Sequence, residues 1–411
     1  MFKVNAKNIY NFLVVCSILA YAININLASL IILLLIALYT IEVAKSLTIK
    51  MDWADCMWTL YVAIVPAVLN LLRTHEFHTY LIIGYFLAVI VFIKYRIESI
   101  EELLNILKVV SIIEATSVYV QFFLPSIYKT LIKTLMPEAY NEIIFRQSSG
   151  YYTGLTKEVS FTVWFIIIGM SCYFSECYFQ KRKCRFIWIL IYLTIALLMT
   201  GKKAQPLIVL ISMLVIYIII SNKRLRIVKL LLGALLLIGI IYITFPMWEK
   251  LSFMQRYVSL INNIIQKSNM HVITTGRIEI YKAAIDLWKQ NKIFGIGWGN
   301  FRFDVEKSAW YSWFDVHNCY LQLLCETGVI GLVVYILMIT IVLYNSLASL
   351  IRIRNLEIKN QKTIVAISTI LFFFLGYSIT GTCLYEYSYY IIFFLCIKKC
   401  NNIYKTVRSI S

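Results

Sequence analysis

His317 stands immediately before a long apolar run, beside Asn318. An imidazole titrates near neutral pH, so a histidine there has the chemistry of a general base. Asn318, Gln322 and Glu326 follow at i, i+4 and i+8, which puts them on one polar stripe of a helix. A second set of residues is cationic: Arg146, Lys202, Lys203, Arg277 and Arg302. Lys202 and Lys203 interrupt apolar sequence in TGKKAQP, and charge at the edge of hydrocarbon is costly enough to suggest function. Guanidinium and ammonium groups suit a diphosphate, because charge-assisted bonds to phosphate oxygens are strong. Each residue also has a plainer reading. A histidine can sit at a wet membrane interface, Glu326 can be a solvated helix residue, and lysines can snorkel to headgroups.

No carboxylate pair of metal-ligand type occurs in the polar segments, and no Cys/His zinc spacing occurs anywhere. Asp304 and Glu306 are two apart without further ligands. A mechanism with neither metal nor cofactor is therefore the expectation. GIGWGNF, residues 295–301, lacks the phosphate-loop spacing and follows no strand. Its glycines are expected to allow a tight backbone path instead.

The elements that must hold these residues belong to a membrane protein. Of 411 residues, 61% are hydrophobic and 15% charged, with mean hydropathy +0.77. Soluble domains are about half apolar and a quarter charged, so a water-soluble enzyme, a disordered chain and a nucleic-acid partner are all disfavoured. Twelve stretches have the apolar length of a spanning helix: 9–23, 27–43, 57–72, 78–94, 103–125, 159–178, 186–200, 205–221, 227–246, 328–349, 363–379 and 382–397. Lysines and arginines gather in alternate short loops, as in KRKCR at 181–185 and around Lys223, Arg224 and Arg226. That bias places both termini in the cytoplasm.

The expected organisation is helices over 1–125, a first outer loop over 126–158, central helices over 159–246, a large outer loop over 247–327, and closing helices over 328–411. All five candidate cations then lie outside. Within the large loop, 277–290 reads as an amphipathic helix with Ile278, Tyr281, Ile285 and Trp288 on one face. The run 315–336 begins polar and is expected to enter the tenth span without a break.

The order of Arg277, Trp288, GIGWGNF, His317-Asn318 and the ETGVIG of 326–331 resembles the signature region of the O-antigen ligase and O-antigen polymerase superfamily. TGKK at 200–203 is similar to that family's T-x-S-R element, and FRQSSGYYTG at 145–154 to its first outer-loop arginine and glycines. The resemblance implies an all-α polytopic membrane protein with about twelve spans, a glycosyltransferase C-type fold and a large helical periplasmic loop. It implies glycosyl transfer at the periplasmic face of the inner membrane, from an undecaprenyl-diphosphate-linked oligosaccharide. His317 falls on the family histidine that orients or deprotonates the acceptor. Arg277 falls on a diphosphate arginine, Lys203 on the position usually held by arginine, and Arg146 on the outer-loop arginine. Lys202, Arg302, Asn318 and Glu326 are expected to complete the substrate-binding set. The lead expectation is a repeat-unit polymerase, with a chain-length regulator as partner. The rivals are a ligase acting on lipid A core and a flippase for the lipid-linked sugar, to which Lys108 and Glu114 inside a span would be suited.

Overall fold

A computed structural model describes residues 6–46, 56–58, 60–61, 100–179, 183–221, 250–265, 276–305 and 314–410. The described residues are helical, with no strand among them. In chain order the helices are α1 (Ala6–Ile23), α2 (Ile25–Ser46), α3 (Ile100–Phe123), α4 (Pro125–Leu135), α5 (Tyr140–Ser148), α6 (Val159–Phe179), α7 (Lys183–Met199), α8 (Ala204–Ile220), α9 (Ser252–Ile265), α10 (Arg277–Gln290), α11 (Phe301–Asp304), α12 (Cys319–Ile351), α13 (Ile358–Tyr377) and α14 (Tyr387–Ile410).

Four of them, α3, α6, α12 and α13, are long and apolar enough to cross a membrane. The expected spans at 78–94 and 227–246, and most of that at 57–72, lie outside the described residues. On α12, Ile330, Val333, Ile336, Leu337, Ile341 and Tyr344 are exposed. A stripe of that size on a soluble protein would be an association site; on a helix of this length it is a surface for lipid. In α6, by contrast, nearly every side chain from Val159 to Tyr173 is buried, the pattern of a helix surrounded by other helices.

The chain divides into two compact units. Unit 1 is residues 1–103, 270–345 and 374–402; unit 2 is 104–269, 346–373 and 403–411. In unit 2 the segment expected as a first loop, 126–158, is largely helical. Pro125 ends α3 and opens α4 at the position where its missing N–H costs nothing. Tyr128, Ile132, Met136 and Ile143 then bury one another between α4 and α5, so these short helices carry a small core of their own.

The helix expected over 277–290 is α10, with the same bounds. Its buried face differs from the expected one. Ile280 and Ala284 are buried, Leu287 packs beside them, and Ile285 is exposed. The small Ala284 allows close approach to Ile296, Phe301, Val316 and Cys325, which outweighs the larger side chains one position away.

Candidate functional site

In unit 1 the site is built where residues 314–318 turn into α12. Asn318 begins the helix: its side-chain oxygen accepts the N–H of Leu321 at 3.0 Å, an N-cap bond of the kind worth about 1 kcal/mol. The N–H of Cys319 donates to Ser378 O at 2.8 Å. On the other side of His317, Arg302 Nε donates to Asp315 Oδ1 at 2.6 Å and its Nη2 to Oδ2. Gln322 Oε1 accepts the N–H of Val316 at 3.3 Å, and its Nε2 donates to Asp315 and to Glu326 at 3.4 and 3.2 Å. The residues flanking His317 are therefore fixed from both directions. His317 itself takes φ +56°, the one positive value among described non-glycine residues. Left-handed backbone costs a side chain about 1–2 kcal/mol and persists where neighbours over-determine it, as they do here.

The stripe of Asn318, Gln322 and Glu326 exists, but it is not solvated. Gln322 is 1% exposed and Glu326 0%. Glu326 accepts the N–H of Gly299 at 2.8 Å, the N–H of Phe301 at 3.3 Å and the hydroxyl of Tyr385 at 2.5 Å, besides Gln322. Its oxygens are taken up by protein donors, and it fastens the 295–301 loop to α12.

The expected unbroken run into the tenth span is corrected here. Gly328, at φ +67° and ψ −169°, interrupts α12. A break leaves carbonyls and N–H groups without helical partners, and in an apolar surrounding these must be satisfied within the protein. The 292–297 segment does so. Ile296 N–H donates to Cys325 O at 3.0 Å and Gly297 N–H to Glu326 O at 2.9 Å. Val329 N–H donates to Lys292 O at 2.9 Å and Ile330 N–H to Ile293 O at 3.4 Å. A Cβ on Gly328 would overlap the Ile293 carbonyl, and one on Gly295 the Glu326–Thr327 peptide. The glycines thus provide the tight backbone path expected of them.

Of the candidate cations, Arg277 and Arg302 lie in unit 1 with His317, Asn318 and Glu326. Arg277 opens α10 and donates to Thr380 O at 3.2 Å. Arg302 is held by Asp315; burial works against its charge, but the Asp315 bonds carry it above the ordinary guanidinium value. Arg146, Lys202 and Lys203 lie in unit 2. Arg146 pairs with Glu142 one helical turn away. Lys202 and Lys203 form the turn between α7 and α8, with Lys203 at the N-cap of α8. Two charges inside the expected fifth span are also accounted for: Lys108 pairs with Glu176, and Glu114 accepts the N–H of Leu155 at 3.1 Å.

Three participants were not foreseen. Asp315 lies two residues before His317, and that proximity was the available signal. Tyr385 reaches Glu326 across 59 residues, a relation with no local signature. Arg256, the one basic residue of α9, joins the 149–151 loop in unit 2. Among the described residues no group of three or more His, Cys, Asp or Glu is placed to hold a metal ion.

Residues 188–336 match the family described as O-antigen ligase. That stretch contains His317, Asn318, Glu326 and every candidate cation except Arg146. No curated protein matches the chain.

Proposed function

Because the chain belongs to the O-antigen ligase and polymerase superfamily, we propose that it is the polymerase kind. It joins undecaprenyl-diphosphate-linked repeat units into O-antigen or capsular polysaccharide at the periplasmic face of the inner membrane. The observation that carries this reading is His317, held in left-handed backbone between a capped helix and the Asp315–Arg302 pair. A side chain on so fixed a backbone is suited to a base that must meet one hydroxyl in one geometry.

The step is a displacement at the anomeric carbon of the donor. The acceptor hydroxyl oxygen forms the new C–O bond while the bond to the diphosphate oxygen breaks, its electron pair leaving with the diphosphate. The hydroxyl proton passes to the His317 imidazole. Attack opposite the leaving group inverts the anomeric centre. Charge grows on the diphosphate as the bond breaks, so fixed cations stabilise the transition state more than the ground state. Arg277 suits this role, since its one described acceptor is the neutral Thr380 carbonyl. Lys202 and Lys203 are further candidates. Arg146 and Arg302 give their charge to Glu142 and Asp315, and Glu326 gives its own to the loop. In this reading those three support the site. A chain-length regulator would act as partner.

The ligase reading is favoured by the description of the matching family. Gene deletion separates the two: loss of a polymerase leaves core capped by single repeat units, and loss of a ligase leaves core bare. A flippase gains less support, because Lys108 and Glu114 are engaged within the protein.

Incubating the purified full chain with a synthetic lipid-linked repeat unit is expected to produce a ladder of polymer. EDTA should leave the ladder intact. His317→Ala should abolish it with membrane level unchanged. Polymer of normal length from that variant overturns the assignment of the base.

A further inference from the structure

The exposed apolar side chains of α3 lead onto those of α4. On α3, which is long and apolar enough to cross a membrane, Ile106, Val109 and Ile113 are exposed. They stand three and four residues apart and so share a face. Val120, seven residues after Ile113, returns to that face and packs against the cluster of Tyr128, Ile132, Met136 and Ile143. Within unit 2, α4 is therefore docked on the side of α3 that carries the exposed stripe. The chain turns at this point: Leu124, the N-cap of α4, has φ −128° and ψ 57°, outside the helical region. Phe123 and Leu124 are exposed at the corner.

Beyond the corner the exposed apolar residues continue. Ile127, Leu131 and Leu135 are 60%, 40% and 55% exposed, and their spacing of four puts them on one face of α4. Lys129 and Lys133, also exposed, stand two residues to either side of Leu131, which on a helix is about half a turn away. The docked Tyr128 and Ile132 fall between these two faces. α4 thus has one side against α3, one side apolar and one side cationic, and the last two are opposed. An apolar stripe opposed by lysines is the pattern of a helix that lies in the plane of a membrane surface. In water the same stripe, joined to that of α3, would be an exposed apolar patch of the kind that marks an association surface.

We propose that α4 is an in-plane membrane helix that rests on the bilayer beside α3. Ile127, Leu131 and Leu135 sit at the boundary of headgroups and acyl chains, about 5–10 Å deep, and Lys129 and Lys133 face headgroups and water. Lipid is the occupant of the apolar face because that face continues the exposed stripe of α3, and a spanning helix meets acyl chains along such a stripe. Residues 126–158 are then not a loop held clear of the membrane. Their first helix braces the end of α3 against it. Tyr128 carries that support inward, since its hydroxyl donates to Gly154 O at 2.6 Å. None of this depends on the chemistry assigned to His317.

The test places a nitroxide on single introduced cysteines in the full chain, in phosphatidylcholine nanodiscs, with the exposed Cys56 and Cys184 replaced by Ser. The same chain without an introduced cysteine gives the background. Dissolved oxygen concentrates among acyl chains, whereas a charged or polar nickel chelate stays in water. At Ile127→Cys, Leu131→Cys and Leu135→Cys, collisions with oxygen should exceed those with the chelate. At Lys129→Cys and Lys133→Cys the order should reverse. The melting temperature of each variant checks its fold, and where one fails the other positions on its face are read. Chelate that reaches the stripe as freely as the lysine positions overturns the proposal, because the helix then stands in water. Shielding of the stripe from both reagents also overturns it, because a second copy of the chain or another protein then covers the face. His317→Ala should leave the pattern unchanged. Loss of the polymerase reading and loss of this surface are therefore separate results.

Discussion

The structure distinguishes residues of one chemical type by the partners that occupy them. Arg302 and Arg277 are both guanidinium groups in unit 1. The first is spent on a carboxylate and the second on a single carbonyl. Arg302→Lys removes the two-pronged bond to Asp315 and loosens residues 315–316 next to His317, the proposed base. A misplacement of about 1 Å near the reacting groups costs on the order of a hundredfold in rate, so kcat should fall steeply while KM changes little. Arg277→Lys should instead raise KM and lower kcat together, if the guanidinium meets the diphosphate. The same pattern in both variants would remove the distinction. The pH profile offers a second check at this scale. A base must be unprotonated to act, so activity should rise with pH from the acidic into the neutral range and level off above it. An activity indifferent to pH across that range argues that no imidazole takes the proton.

Among the elements, the broken α12 and the glycine loop are one device. Gly328→Ala places a side chain in left-handed backbone and against the Ile293 carbonyl, and Gly295→Ala does the same against the Glu326–Thr327 peptide. Each should lower the melting temperature of the full chain, by the left-handed strain of about 1–2 kcal/mol and the further cost of displacing the 292–297 segment from α12. Glu326→Gln sets an amide where Gly299 N–H, Phe301 N–H and Tyr385 donate. A donor must then face a donor, a loss of about 1–3 kcal/mol, and a melting temperature equal to wild type would show that the clasp does not depend on the carboxylate. The helix bounds of α10 and the need for glycine in 295–301 were legible in sequence, because both are local. The break at Gly328 was not. ETGVIG has the apolar density of a continuing helix, and the groups that make interruption tolerable come from residues 292–297. The burial of Glu326 was not legible for the same reason: its partners at 299, 301 and 385 are distant along the chain. Arg256 escaped notice because a single arginine on an amphipathic helix is usual, and its contacts with Ser149 and Tyr151 join segments distant along the chain.

At the scale of the whole molecule, the proposed chemistry depends on which side of the membrane each turn occupies. Basic residues concentrate in KRKCR at 181–185, which runs into the start of α7, whereas the turn between α7 and α8 holds Lys202 and Lys203. In the proposed topology α7 crosses the membrane, its 17 residues spanning about 26 Å, and its two basic ends then face opposite sides. The charge bias of short loops predicts the denser end in the cytoplasm, and the proposed function requires the 200–203 turn on the outer side. Native Cys184 lies in that basic run, at the start of α7, and is exposed. Ser148, also exposed, closes α5, in the segment expected on the outer side. With Cys56 replaced by Ser, a membrane-impermeant maleimide should fail to label Cys184 in intact cells and should label it once the membrane is opened. Ser148→Cys should be labelled without opening. Labelling of Cys184 from outside would argue that the 200–203 turn is cytoplasmic, where Lys202 and Lys203 could not serve the proposed transfer to a periplasmic acceptor.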